Sequence, residues 1–151
     1  MIKEKVKAKK KVIKPRKIVK APPRYIEGLG RRKTAVARVR LFSKGEERFL
    51  VNNIDYRQYF STPFLQRLAS EALSKTDLVE KLGLEIIVRG GGIKAQAEAV
   101  RLGISRALVG LAPEAYKKLR KLGYLTRDPR MRERKKFGLK RARKAPQWQK
   151  R

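Results

Sequence analysis

The sequence predicts a small two-layer α/β domain of the α+β kind, a mixed sheet with helices packed on one face, carrying a basic tail at each end. Three observations predict it. Stretches with a period of two and stretches with a helical period both occur between residues 25 and 126. They are interleaved, which calls for one sheet with helices laid over it. The residues outside that span are too cationic and too poor in large apolar side chains to bury a core of their own. A length of 151 residues suits one domain with appendages.

The elements follow in chain order. Thr34–Phe42 alternates, with Ala35, Ala37, Val39 and Leu41 on one side and Val36, Arg38, Arg40 and Phe42 on the other, which predicts a strand. Arg48–Asn52 is a second β-rich run, and the Lys44–Gly45 turn signal between the two predicts a hairpin. Tyr56–Phe60 and Pro63–Leu73 read as helices, Pro63 being suited to a first helical turn. Tyr56, Tyr59, Phe60 and Phe64 fall at roughly helical spacing and are expected in the core. Leu84–Arg89 is a third strand, stopped by Gly90, Gly91 and Gly92. Ile93, Ala97, Val100, Ile104, Leu108 and Leu111 form one apolar stripe at helical period. Lys94, Glu98 and Arg101 lie off that stripe, where Glu98 can pair with either neighbour. Ala95, Ala99 and Gly103 make a second ridge of small residues, best explained by close packing within the domain. Pro113 ends this helix and begins a shorter one through Lys121, with Gly123 as a cap beyond it.

Charge organises the rest. Lys and Arg number 42 against 13 Asp and Glu, a formal net charge of +29. A folded chain so charged repels itself and calls for a polyanionic partner. Nucleic acid is the default, because each phosphate neutralised releases condensed counterions, but an anionic membrane would also serve, and charge alone leaves both open. Residues 1–24 carry eleven basic and one acidic residue, and 127–151 carry twelve and two, a net of +10 in each tail. The division is therefore a disordered basic extension at 1–24, a globular domain at 25–126 and an extended basic tail at 127–151.

Several function classes are excluded. There is no Cys and no His, which removes thiol nucleophiles, disulfides, imidazole chemistry and the usual zinc sites. The carboxylates Glu46–Glu47, Asp55, Asp77–Glu80 and Glu85 are scattered among Lys and Arg, with no apolar pocket evident to shift a pKa. No catalytic residue, metal, cofactor or small-molecule substrate is expected. No stretch approaches the apolar length of a membrane span, and residues 1–20 lack the apolar region of a secretory signal, so a cytoplasmic protein without a membrane partner is predicted.

Four features bear on nucleic acid. Gly28–Lys33 reads as a compact basic turn whose Arg31, Arg32 and Lys33 suit a phosphate backbone. Gly90–Gly92 before a helix is either a phosphate-contacting turn or a tight turn that needs positive φ; it fits neither GxxxxGK[ST] nor GxGxxG with an acidic ribose ligand. Arg38 and Arg40 lie on a sheet face that either rests on RNA or faces water. Phe137 and Trp148, set among cations in the tail, suit base stacking or wedging into a crevice.

GRRKTAVARV (Gly30–Val39), VRGGGIKAQAEAVRLGISRAL (Val88–Leu108) and LTRDPRMRERKKFGLKRARKAPQWQKR (Leu125–Arg151) occur in this order, and from Tyr25 to Arg151 the chain closely resembles the ninth protein of the small ribosomal subunit. The resemblance implies a domain like the second domain of the fifth small-subunit protein, with a left-handed βαβ crossover. It implies binding to ribosomal RNA in the subunit head, beside neighbouring head proteins. It also implies a C-terminal tail whose tip touches transfer RNA in the peptidyl site. Carried over by position, Arg31, Arg32, Lys33 and Arg38 are ribosomal-RNA contacts, as are Arg127, Arg130, Arg134, Lys135, Lys136, Lys140, Arg141, Arg143 and Lys144. Lys150 and Arg151 are the transfer-RNA contacts. The family's usual ending, Gln-Phe-Ser-Lys-Arg, is here Gln147-Trp148-Gln149-Lys150-Arg151, and Ala95 and Glu98 stand where Gly is common. Glu98 repels phosphate, so its turn of the helix is expected to face protein or solvent. A free-standing RNA chaperone, a nucleotide-dependent enzyme and a membrane-active peptide are the alternatives, in falling order.

Overall fold

A computed structural model describes residues 25–43, 48–76 and 82–150. Five strands form one sheet in the order β1-β2-β5-β3-β4. They are β1 (Tyr25–Arg32), β2 (Ala35–Phe42), β3 (Phe49–Val51), β4 (Ile54–Asp55) and β5 (Gly83–Arg89). β2 runs antiparallel to both β1 and β5, whereas β3 is parallel to β5 and antiparallel to β4. The sheet is thus mixed, as predicted. The predicted hairpin is corrected: β5 lies between β2 and β3, and the Lys44–Gly45 turn falls outside the described residues. The reason is extent of pairing, since β5 meets β2 over seven residue pairs and β3 over three. The expectation for residues 1–24 likewise lies outside the described residues.

β2 buries Ala35, Ala37, Val39 and Leu41, and β5 buries Leu84, Ile86 and Val88, so both strands turn the same alternation toward one core. Over that face lie α1 (Tyr56–Tyr59), α2 (Pro63–Ser74), α3 (Ile93–Leu111) and α4 (Ala115–Lys121). Thr62 and Pro63 start α2 as expected of a first-turn proline. Asp55 caps α1 by accepting from the Arg57 N–H at 2.7 Å. Phe60 is fully buried and Tyr56 and Tyr59 pack at the core edge, but Phe64 is 60% exposed, a correction to the aromatic set. It sits in the first turn of α2. Past the end of β3, Asn52 takes a φ of 50° and exchanges two hydrogen bonds with the Val88 backbone, its Oδ1 accepting at 2.9 Å and its Nδ2 donating at 3.2 Å. A side-chain amide there stands in for one more residue of strand.

β1 is the element the sequence disguised. Gly28–Lys33 is not a turn: the strand runs through Arg32, and only Lys33 and Thr34 connect it to β2. The glycines serve packing. A Cβ at Gly30 would overlap the Ala99 carbonyl oxygen of α3, and one at Gly28 would overlap that of Gly103. Ala99 and Gly103 of the small ridge, with Ala107 a turn further on, are therefore the seat of β1. α3 is buried on nearly every side, with Ala97, Val100, Ile104 and Leu108 fully enclosed, while Ile93 at its start is 50% exposed. Gly123, at φ 76°, closes α4 as predicted and releases the chain into residues 124–150, which form no helix or strand.

Candidate nucleic-acid interface

The predicted cations separate into three groups once the chain is folded. Arg31 and Arg38 project from the sheet face opposite the helices, and Lys33 is exposed at the β1–β2 turn with a φ of 51°. Register aligns Arg31, Val36 and Arg89 in one row across the sheet, and Leu29, Arg38 and Ile87 in the next. Arg38 is ion-paired with Glu27, whose carboxylate hydrogen bond holds the guanidinium above its usual pKa. Arg40 lies on the same face with its guanidinium 5.2 Å from the Tyr25 ring centre. Arg89 was missed in the sequence. It shares the outward parity of Glu85 and Ile87, and that parity was the available signal.

The β1–β2 turn and the glycine turn lie side by side at one end of the sheet, where the Gly91 position abuts Ala35 and the Gly90 position abuts the Thr34 carbonyl. Gly90 and Gly91 take φ values of 72° and 68°, the conformational role proposed for them. Gln96 Nε2 donates to the Gly90 carbonyl at 3.1 Å, and its Oε1 accepts from the Tyr59 hydroxyl at 2.8 Å, so Gln96 ties the turn to α1. Lys33, Arg31, Arg89 and Lys94 surround these turns, all exposed. This end of the sheet concentrates cations on short, braced backbone.

The second group is turned inward. Arg32 pairs with Glu98 of α3 and with Asp128, and it donates to the Arg130 carbonyl at 2.9 Å. Glu98 thus reaches across to β1 rather than along its own helix, and its turn of α3 faces protein, as expected. Arg101 in turn pairs with Glu71 at 2.9 Å.

The third group is the tail. Arg127, Arg134, Lys135, Lys140, Arg141, Lys144 and Lys150 are exposed, and Phe137 and Trp148 are largely bare. The tail is not featureless. Glu133 pairs with Lys136 at 2.6 Å and with Arg143 at 2.8 Å, and the Lys140 N–H donates to the Lys144 carbonyl at 2.7 Å. Residues 133–144 thus form a turned segment about one carboxylate, with Gly138 at φ 75°. Arg151 lies outside the described residues.

Residues 30–151 match the family model described as Ribosomal protein S9/S16, four-fifths of the chain. The chain belongs to the ribosomal protein S9/S16 family. Proteins of this family are structural, non-enzymatic components of the ribosome that bind ribosomal RNA, and the exposed cations of this ribosomal protein suit that role. Among the described residues no helix is long and apolar enough to cross a membrane, and no His, Cys, Asp and Glu cluster has metal-holding geometry. As a ribosomal protein, the chain has ribosomal RNA and other ribosomal proteins as its partners.

Proposed function

We propose that this protein is held in the head of the small ribosomal subunit by ribosomal RNA and that its C-terminal tail reaches transfer RNA in the peptidyl site. One observation carries the reading: the β1–β2 turn, the glycine turn and the start of the tail lie at the same end of the sheet, so one cationic end leads into one cationic strand of chain. Arg31, Lys33 and Arg38 contact phosphate from the domain. Arg127, Arg134, Lys135, Lys136, Lys140, Arg141, Arg143 and Lys144 contact it from the tail, where Lys136 and Arg143 exchange Glu133 for phosphate. Such contacts fix position and are blind to base identity. Lys150 and Arg151 meet the transfer RNA, with Trp148 stacked or wedged just before them. The protein acts in the cytoplasm, as part of the ribosome.

Deletion of residues 150–151 tests the reading. The shortened protein is expected to sediment with the small subunit as the full chain does, at low and at moderate salt. Subunits carrying it are expected to bind peptidyl-site transfer RNA several-fold more weakly. Unchanged transfer-RNA affinity would remove the tip from that site. Migration of the full chain as free protein would remove it from the subunit.

A further inference from the structure

We infer that Arg32 is a positioning residue: it anchors the root of the C-terminal tail to the domain and so sets the point and direction from which the tail departs. The anchor is read from the domain alone, and its effect on RNA rests on the ribosomal reading above. Arg32 is the last residue of β1 and shares the inward parity of Gly28 and Gly30, so its side chain leaves the sheet toward α3 instead of toward the exposed face of Arg31. Its guanidinium is occupied in three directions. Nε meets the Glu98 carboxylate of α3, Nη2 meets Asp128 Oδ2 at 3.0 Å, and Nη1 donates to the Arg130 carbonyl at 2.9 Å. Three parts of the chain converge on one planar fork, whose side chain is only 14% exposed.

The tail root is organised to fit. Asp128 Oδ1 accepts from the Arg130 N–H at 2.9 Å, and its other oxygen pairs with the Arg130 guanidinium at 2.8 Å, so the carboxylate closes a turn around Pro129. One turn along α3, the Arg101 guanidinium lies 4.9 Å from the Tyr124 ring centre and Leu125 packs against the core. Residues 98 and 101 are neighbours on a helix surface, so Tyr124–Arg130 is fastened twice to one face of α3. The four charges of Arg32, Glu98, Asp128 and Arg130 cancel. In a chain of net charge +29, with 13 acidic residues, that cancellation makes the root a neutral joint in a cationic surface. A phosphate at Arg32 would have to displace two carboxylates. Lys could not replace it, since an ammonium lacks the rigid fork that serves three acceptors.

Glu98→Gln and Arg32→Lys in the full chain test the anchor, because both are mild at the rim of the core. In the free wild-type protein, backbone order parameters at Leu125, Thr126, Asp128 and Arg130 should match those of α3, about 0.85, and in both variants fall below about 0.6 while α3 itself is unchanged. A wild-type root already as mobile as the tail, or a root unmoved by both substitutions, would overturn the proposal. The second readout is affinity for small-subunit ribosomal RNA at fixed salt. Glu98→Gln removes a negative charge, so charge alone predicts tighter binding, whereas a broken anchor predicts binding weaker by several-fold. Tighter binding with a mobile root would overturn the positioning role. Failure of the wild-type chain to bind this RNA would strike the ribosomal reading, with the order parameters still deciding the anchor.

Discussion

Glu71 and Asp128 are carboxylates held below their ordinary range by arginine. Burial pushes Glu71 up, but hydrogen bonds from Arg101 and Tyr124 outweigh it. Asp128 is held well below the usual range by the Arg130 side chain first, then by the Arg130 backbone N–H, with Arg32 adding to it. A carboxyl depressed in the folded state favours that state above its unfolded pKa, about 3.9 for Asp and 4.3 for Glu, and the advantage disappears as pH falls through the folded value. The tail root should therefore stay ordered from neutral pH to about pH 4.5 and loosen only in stronger acid. Carbon chemical shifts of Asp128 followed by NMR should give a midpoint below about 3.9; a midpoint at or above it would be inconsistent with the pairing. None of this was legible in sequence. Glu98 lies 66 residues from Arg32, and GRRK shows three equivalent cations where the fold makes Arg31 a surface group, Arg32 an internal one and Lys33 the turn.

At the scale of elements, legibility followed locality. The strand at β2, the glycine stop after β5, the stripe of α3 and the Gly123 cap depend on neighbours a few residues away, and each was found. β1 was read as a turn because glycine is depleted in strands, and its reason for being there is α3, which lies about seventy residues onward. The β2–β3 hairpin fails for a related cause: strands adjacent in sequence need not be adjacent in the sheet, and β5 intervenes. Packing of β1 on α3 yields a sharp expectation. Gly30→Ala places a methyl group against the Ala99 carbonyl, where backbone on both sides resists movement. Overpacking of this kind costs about 1–3 kcal/mol, so a drop in that range is expected in urea unfolding, with tail-cation variants unaffected. A neutral Gly30→Ala would mean that β1 sits farther from α3 than the structure places it.

Composition narrowed the partner to a polyanion, nucleic acid or an anionic membrane, because a chain of charge +29 repels itself. The partition of cations between surface and interior was not legible there. Salt dependence tests that partition across the whole molecule. Neutralising Arg134, Lys135, Lys140 and Arg141 to Gln together should flatten the plot of log affinity for ribosomal RNA against log salt, by about 0.7–0.9 for each phosphate left without its cation. Arg32→Gln should leave the slope nearly unchanged, since its charge is already matched by carboxylates. Equal slopes for all variants would mean that the tail cations do not meet phosphate.

Fastening the chain at Arg130 also sets a length. From it to Lys150 the chain runs 20 residues, which fully extended reach at most about 65–70 Å, and the turn about Glu133 takes up part of that slack. Lys150 can search only the volume within that radius of a fixed origin, so the span from the domain to the proposed tail contact is a ruler written into the fold. Released back to Tyr124, the same chain would gain about 20 Å of contour and lose its origin, exchanging a measured reach for a larger and emptier sphere.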